Sequence, residues 1–169
     1  MPWPACGTEW NRPVAARLAE VAGLQPGMYV LDVGCGTGAA SLAAARAVQP
    51  GGWVLGVDWA PAMTARVRHE AAEGWTTGIG FDCQDVTRLT YAPDLFDAVI
   101  ASMVLPWLDQ PGQALASWRS LLRRGGAAGV LLDRRRGPRV GAGPRRGHRV
   151  PARQPRMRGP RPTVDGRRG

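Results

Sequence analysis

The residues with the clearest chemical potential run from Val30 to Gly38, "VLDVGCGTG", where a β-branched run ends in an aspartate and passes into three alternating glycines. Glycine at the turn leaving a strand accepts positive φ and lets a ligand approach backbone that a Cβ would shield. Gly34, Gly36 and Gly38 suit a nucleotide-type ligand, and Asp58, at the end of "WVLGVD", is placed to bind a ribose. Two ligands fit this pattern. Gly34, Gly36 and Ala39 satisfy the looser fingerprint for a nicotinamide dinucleotide, so an NAD(P)-dependent oxidoreductase is one alternative. Asp32 argues for the other, because a carboxylate ahead of the glycines repels a pyrophosphate. It favours S-adenosylmethionine, whose sulfonium and ammonium outweigh its single carboxylate.

The remaining reactive side chains read blandly. Cys6, Cys35 and Cys83 are odd in number, without paired spacing or a nearby His, which predicts reduced thiols and no metal site. Cys35 has no visible base and reads as a space-filling residue of the loop, and His69, between Arg68 and Glu70, as part of a solvated helix face. Taken singly, Asp85 and Asp97 are ordinary strand-end and turn carboxylates, and Trp59, Trp107 and Trp118 are core aromatics.

The elements that must carry these residues alternate between helix and strand. Pro13 suits the first turn of a helix with Val14, Leu18 and Val21 on one face, and "MYVLDV" is a buried strand. A helix over Ala39 to Val48 follows, anchored by Leu42 and Val48, then the strand "WVLGVD" and a helix opened by Pro61 that stops near Gly74. "IGFDCQDV" and the continuously apolar "FDAVIASMV" are the third and fourth strands. A helix from about Gln113, stopped by "RRGG", leads to a fifth strand, "AAGVLLD". This alternation predicts an α/β fold, a doubly wound parallel sheet covered on both faces.

Charge separates the chain into two parts. Residues 1–133 hold nine Arg and twelve acidic residues, whereas 134–169 hold thirteen Arg and one Asp, so the net charge of +9 belongs to the tail. Arg, Gly and Pro make up 26 of those last 36 residues, a composition that predicts disorder. The domain is therefore expected at 10–133 and the Arg/Gly/Pro-rich tail at 134–169. Every basic residue is Arg and none is Lys, which points to a GC-rich coding sequence more than to a binding role. The N-terminus has no charged segment followed by an apolar run, so the protein is expected in the cytoplasm with no membrane partner.

Across residues 10 to 133 these motifs, in this order, resemble the class I S-adenosylmethionine-dependent methyltransferases, particularly the type 11 group that includes the ubiquinone and menaquinone biosynthesis enzymes. The resemblance implies a Rossmann-like fold with S-adenosylmethionine as cofactor. "LDVGCGTG" looks like the first motif, with Asp32, Gly34, Cys35, Gly36 and Gly38 around the methionine part of the cofactor. "GVDWAPAM" is similar to the second, in which Asp58 takes both ribose hydroxyls and Trp59 lies against the adenine. "CQDV" resembles the third, placing Asp85 on the adenine amino group and the Val86 amide on a ring nitrogen. In "FDAVIASMVLPWL" the resemblance puts Ala101 and Ser102 on the methionine side and Leu105 to Trp107 on the substrate side, with Trp10 also near the acceptor.

Methyl transfer from a sulfonium is an in-line displacement of an activated leaving group, so alignment and exclusion of water can carry the rate without a dedicated acid or base. No catalytic residue is therefore assigned. A hydroxyl or enol acceptor would need a base, expected from the region of Trp10 or the loops after strands four and five. The expected acceptor is a small molecule. The chain departs from the family after strand five, where members continue with a helix and an antiparallel strand pair. Here the C-terminal antiparallel strand pair is missing and the tail takes its place, a pattern expected of a reading-frame shift near Asp133 in a gene for a longer product. The alternative, an RNA-binding or RNA-methylating protein using the tail, meets a tail without aromatics and a mildly acidic domain.

Overall fold

The computed structural model describes residues 8–73 and 77–131. The elements are α1 (Thr8–Val21), β1 (Tyr29–Val33), α2 (Ala39–Ala47), β2 (Trp53–Asp58), α3 (Pro61–Glu73), β3 (Ile79–Cys83), β4 (Phe96–Ser102), a 3₁₀ turn at Leu105–Trp107, α4 (Pro111–Ser120) and β5 (Leu122–Leu131). The five strands form one sheet in the order β3-β2-β1-β4-β5, and every pairing is parallel. The strand order reverses between β1 and β4, which opens a crevice at their carboxyl ends.

Both faces of the sheet are covered, which is why its strands are continuously apolar. On one face α1 and α2 pack Ala15, Leu18, Ala40 and Ala44 against Val30, Val54 and Ile100. On the other, α4 and the β3–β4 crossover pack Trp118, Leu121 and Val86 against Leu31, Val57 and Phe96. The crossover, residues 84–95, contains neither helix nor strand. α3 lies along β3 through Val67, Ala71 and Phe81.

Several elements differ from expectation; β3 ends at Cys83 and not at Val86, and β4 at Ser102 and not at Val104. α1 begins five residues before Pro13, so the proline sits inside the helix and removes one backbone donor from its ladder. Its buried face is Ala15, Leu18 and Ala19, continued by Ala22 just after its end, while Val21 is 67% exposed. Small residues at a spacing of three and four let α1 lie close on α2, and side-chain size was the wrong guide. α4 ends at Ser120, and Arg123, Arg124, Gly125 and Gly126 belong to β5. The cause is visible at the amino end of β4, where Asp97 holds Arg123 at 2.5 Å and the β4–β5 register shifts between Phe96 and Ala98. Among the described residues β5 is an edge strand; the expected tail, and the place where an antiparallel pair would follow, lie outside them.

Candidate functional site

The glycine loop closes over the carboxyl ends of β1 and β2. Gly34, Gly36 and Gly38 have φ of +71°, +52° and +82°, conformations that side chains with a Cβ rarely adopt. The Val57 carbonyl accepts from both Gly34 N (2.8 Å) and Cys35 N (3.0 Å), which staples the loop to β2. The three glycines serve different purposes. A Cβ on Gly34 would stand 2.5 Å from Val104 Cγ2 and one on Gly38 would collide with Val67, whereas one on Gly36 would meet nothing within 4 Å. Gly34 and Gly38 are required by packing; Gly36 borders open space.

Two carboxylates underlie this loop. Asp58, at the end of β2, accepts from Gly36 N through Oδ2 and from Ala60 N through Oδ1, both at 2.9 Å, so it ties the middle of the loop to the exit of β2. Each oxygen keeps a second lone pair. Asp32 is fully buried, and its Oδ2 accepts from Ser41 Oγ at 2.5 Å. Among the described residues its Oδ1 has no partner. Burial pushes the Asp32 carboxyl up to about 7, the Ser41 hydrogen bond opposes this, and the negative charge of Asp58 adds to it. A pair of acids under strain of this kind is relieved by a cation.

Cys35 is buried against Val67, Ala71 and Phe81, so its side chain packs under α3, and its Sγ donates weakly to Gly36 O within the loop at 4.0 Å. Burial, followed by Asp32 and Asp58, raises its thiol far above the usual range, which disfavours the thiolate a nucleophile needs. Trp59 follows Asp58 and is 56% exposed, as an aromatic platform for a ligand requires.

Beyond β3, Asp85 is exposed, and its Oδ1 accepts from Thr87 N (2.9 Å) and Thr87 Oγ1 (2.7 Å). Val86 is buried, and its carbonyl accepts from Trp118 Nε1 at 2.7 Å. Among the described residues Asp85 Oδ2 and the Val86 N–H have no partner. At the exit of β4, Ala101 is fully buried and Ser102 half-buried. Met103 adopts φ +62° there and donates its N–H to Leu131 O, which turns Val104 onto Gly34. Leu105 and Trp107 lie on the 3₁₀ turn that follows, with Trp107 56% exposed. Trp10 lies in α1, and its side chain is outside the described groups.

The fold thus brings the Gly34–Gly38 loop, Asp32, Asp58, Trp59 and the Asp85–Val86 edge to the carboxyl ends of β1, β2 and β3, with Ser102 and the 3₁₀ turn across the crevice. Residues that motif reading missed are Ser41, Gln84, Val104 and Trp118. Ser41 had a signal, being the one polar residue between Gly38 and Arg46. The others act through contacts that only the folded chain makes. An apolar cavity of about 320 Å³ between α4 and β5, lined by Leu115, Trp118, Arg119 and Val130, lies on the flank of the sheet, away from this constellation. It has Arg119 as its only charged group and is not the site. Among the described residues no group of His, Cys, Asp or Glu is suited to a metal, and no helix is long and apolar enough to cross a membrane.

Comparison with known proteins shows the family. A protein-family profile described as a methyltransferase domain matches residues 30–126. The chain is 37% identical over 128 residues to nocamycin O-methyltransferase of Saccharothrix syringae, covering 76% of this chain and 46% of that protein. It is 34% identical over 120 residues to aklanonic acid methyltransferase DauC of Streptomyces sp. (strain C5), covering 71% and 54%. The crystal structure of the [4+2]-cyclase SpnF superposes with a TM-score of 0.65 at 30% identity, over 70% of this chain and 43% of that one. The chain spans about half the length of these curated relatives. The matches lend no support to the nicotinamide or RNA alternatives.

Proposed function

The chain belongs to the methyltransferase-domain family, and from that premise we propose that it binds S-adenosylmethionine in the crevice between β1 and β4 and directs its methyl group to a small-molecule acceptor. The observation that carries this reading is the paired acid floor: a fully buried Asp32 with one unpartnered oxygen, beside Asp58, under a glycine loop that leaves open space at Gly36. An anionic pyrophosphate would meet repulsion there, whereas a ligand with net positive charge neutralises it. The donor set fits the cofactor.

Each residue then has a task. The Gly34–Gly38 backbone and Asp32 hold the methionine end, with the Ser102 hydroxyl opposite. Asp58 uses its remaining lone pairs for the ribose hydroxyls while its backbone partners hold it rigid. Trp59 covers one face of the adenine, and Asp85 and the Val86 N–H read its edge. The bound cofactor supplies a methyl group on an already activated sulfonium. The protein aligns the acceptor, keeps water out and stabilises the cationic donor end by its carboxylates. Leu105 and Trp107, on the 3₁₀ turn beside Val104, form the acceptor side. The acceptor atom is an oxygen of a small molecule, a reading supported by the O-methyltransferase among the relatives.

Titration of S-adenosylhomocysteine into the full-length chain by calorimetry tests the proposal. Saturable binding that is lost in Asp58→Ala is expected; absence of binding by a cooperatively melting wild-type chain would refute it. The likeness to a [4+2]-cyclase supports a second reading, in which the same cofactor site supports a ring closure without methyl transfer. Transfer of label from methyl-labelled S-adenosylmethionine to a small-molecule hydroxyl separates the two.

A further inference from the structure

The β3–β4 crossover is where a loop must present chemistry without a backbone ladder to hold it. The β2–β3 ladder ends where Gln84 N donates to Asp58 O at 3.1 Å, and no helix or strand begins again before Phe96. Side chains take over. Gln84 Nε2 donates back to Asp82 Oδ2 at 2.7 Å, while Gln84 Oε1 accepts from both Thr90 N and Thr90 Oγ1 at 3.1 Å. Tyr91 OH donates to the same Asp82 oxygen at 2.9 Å, and the other Asp82 oxygen accepts from Cys83 N at 2.8 Å. Burial, then the charge of Asp82, raises the Tyr91 phenol well above its usual value, so it stays a donor. One side-chain amide therefore closes residues 84–90 into a ring, with its two ends joined through Asp82 and Thr90.

Within that ring several donors and acceptors are already paired. Thr87 takes Asp85 Oδ1, Arg88 N takes the Asp85 carbonyl at 2.9 Å, and Trp118 takes the Val86 carbonyl. Among the groups without a partner within the described residues are an acceptor, Asp85 Oδ2, and a donor, Val86 N–H, on adjacent residues. This pair is complementary to a 6-aminopurine, whose exocyclic amino group donates and whose ring nitrogen accepts. A 6-oxopurine inverts both positions, with a carbonyl oxygen where the amino group was and an N–H on the ring.

We propose that Gln84 is a positioning residue that sets base specificity: by closing the 84–90 loop it holds the Asp85–Val86 edge in the register that accepts a 6-aminopurine and rejects a 6-oxopurine. The inference rests on the cofactor reading above and goes beyond it, since that reading gives Gln84 no part in holding the cofactor. Its removal leaves Asp85 and Val86 in place chemically but frees the loop to present a different edge. Discrimination is lost before binding is.

The experiment is calorimetric titration of S-adenosylhomocysteine and S-inosylhomocysteine into the full-length wild-type chain, Gln84→Met, Thr90→Val and Asp97→Ala. Gln84→Met keeps length and burial but removes the amide. Wild type is expected to prefer the amino ligand by at least about tenfold, because the oxo ligand leaves both edge groups unpaired. In Gln84→Met the preference falls to about threefold or less, mainly through weaker binding of the amino ligand. Thr90→Val, which removes only a hydroxyl and should fold even if Gln84→Met does not, gives a smaller drop in the same direction. Asp97→Ala, a destabilising change at the opposite end of the sheet, keeps the wild-type ratio. An unchanged ratio in both loop variants, or a wild type that binds S-adenosylhomocysteine without preference, would overturn the role of Gln84 and leave the cofactor reading standing. No binding of either ligand by wild type overturns both.

Discussion

Ser41 Oγ lies 2.5 Å from Asp32 Oδ2, and both side chains are entirely removed from solvent. That hydrogen bond does not compensate for burial, and the Asp32 carboxyl remains pushed up to about 7 from 3.8. Between these values the native chain holds a proton that the unfolded chain has released. The contribution of Asp32 to stability is therefore complete below about pH 4 and is lost as pH rises through about 7. The melting temperature of wild type, measured against Asp32→Asn, should fall on going from about pH 5 to about pH 8, and a constant difference would contradict the assignment. A cationic ligand favours the ionised carboxylate, so affinity for S-adenosylmethionine should rise over the same interval in wild type and stay level in Asp32→Asn.

The three loop glycines should fail in different ways. Gly36→Ala adds a methyl that meets no protein atom within 4 Å, at φ +52°, so it should cost about 1–2 kcal/mol of stability while abolishing ligand binding. Gly34→Ala drives a methyl into Val104 and should lower stability further. Comparing urea midpoints with S-adenosylhomocysteine affinity for the two variants checks the distinction. Equal loss of fold and binding in Gly36→Ala would show that the loop, not its ligand space, is what that glycine protects.

Trp118 joins the core to the proposed adenine edge through Nε1 and the Val86 carbonyl. Trp118→Phe keeps an aromatic ring but leaves a buried acceptor unpaired, at a cost of about 1–3 kcal/mol in chemical denaturation. Weaker S-adenosylhomocysteine binding should accompany it, beyond that of a core variant of equal stability such as Leu121→Ala.

At the other end of the sheet Asp97 accepts from Tyr29 N at 2.8 Å and from Arg123, whose guanidinium also sits 5.8 Å from the centre of the Tyr29 ring. Asp97→Ala leaves a part-buried donor and a cation without that partner and should destabilise by about 1–3 kcal/mol. Ligand affinity should stay within about threefold of wild type. A larger change would mean that the amino ends of β1 and β4 are coupled to the crevice.

The parallel sheet and much of the candidate site were legible in the residues because both depend on local rules. β2 was read to its exact ends, since an apolar run flanked by glycines and a proline admits few other structures. The loop glycines announced themselves because their positive φ is a property of the backbone at single positions. Asp58 was legible because a strand end in a doubly wound sheet is also a ligand-facing position.

Helix faces and helix ends were less legible. Val21 looked like a core residue and is exposed, because α1 turns Ala15, Leu18 and Ala19 inward instead, and Ala22, just beyond it, packs on Gly129 of β5. "RRGG" looked like a helix stop and became part of β5, because Arg123 found Asp97, twenty-six residues away.

By itself the sequence determined the order of strands and helices, the position of the turn that must be glycine, and the sign of the charge beneath it, since each is written in a few consecutive residues. Only the tertiary structure decided that Ser41 holds Asp32, that Val104 presses on Gly34, that Trp118 supports Val86, and that Gln84 closes its loop on Thr90. Those pairs are separated in the chain or depend on one loop conformation among many. A hydrogen bond of a few ångströms is selected by packing of the whole sheet, and no local pattern of residue types encodes it.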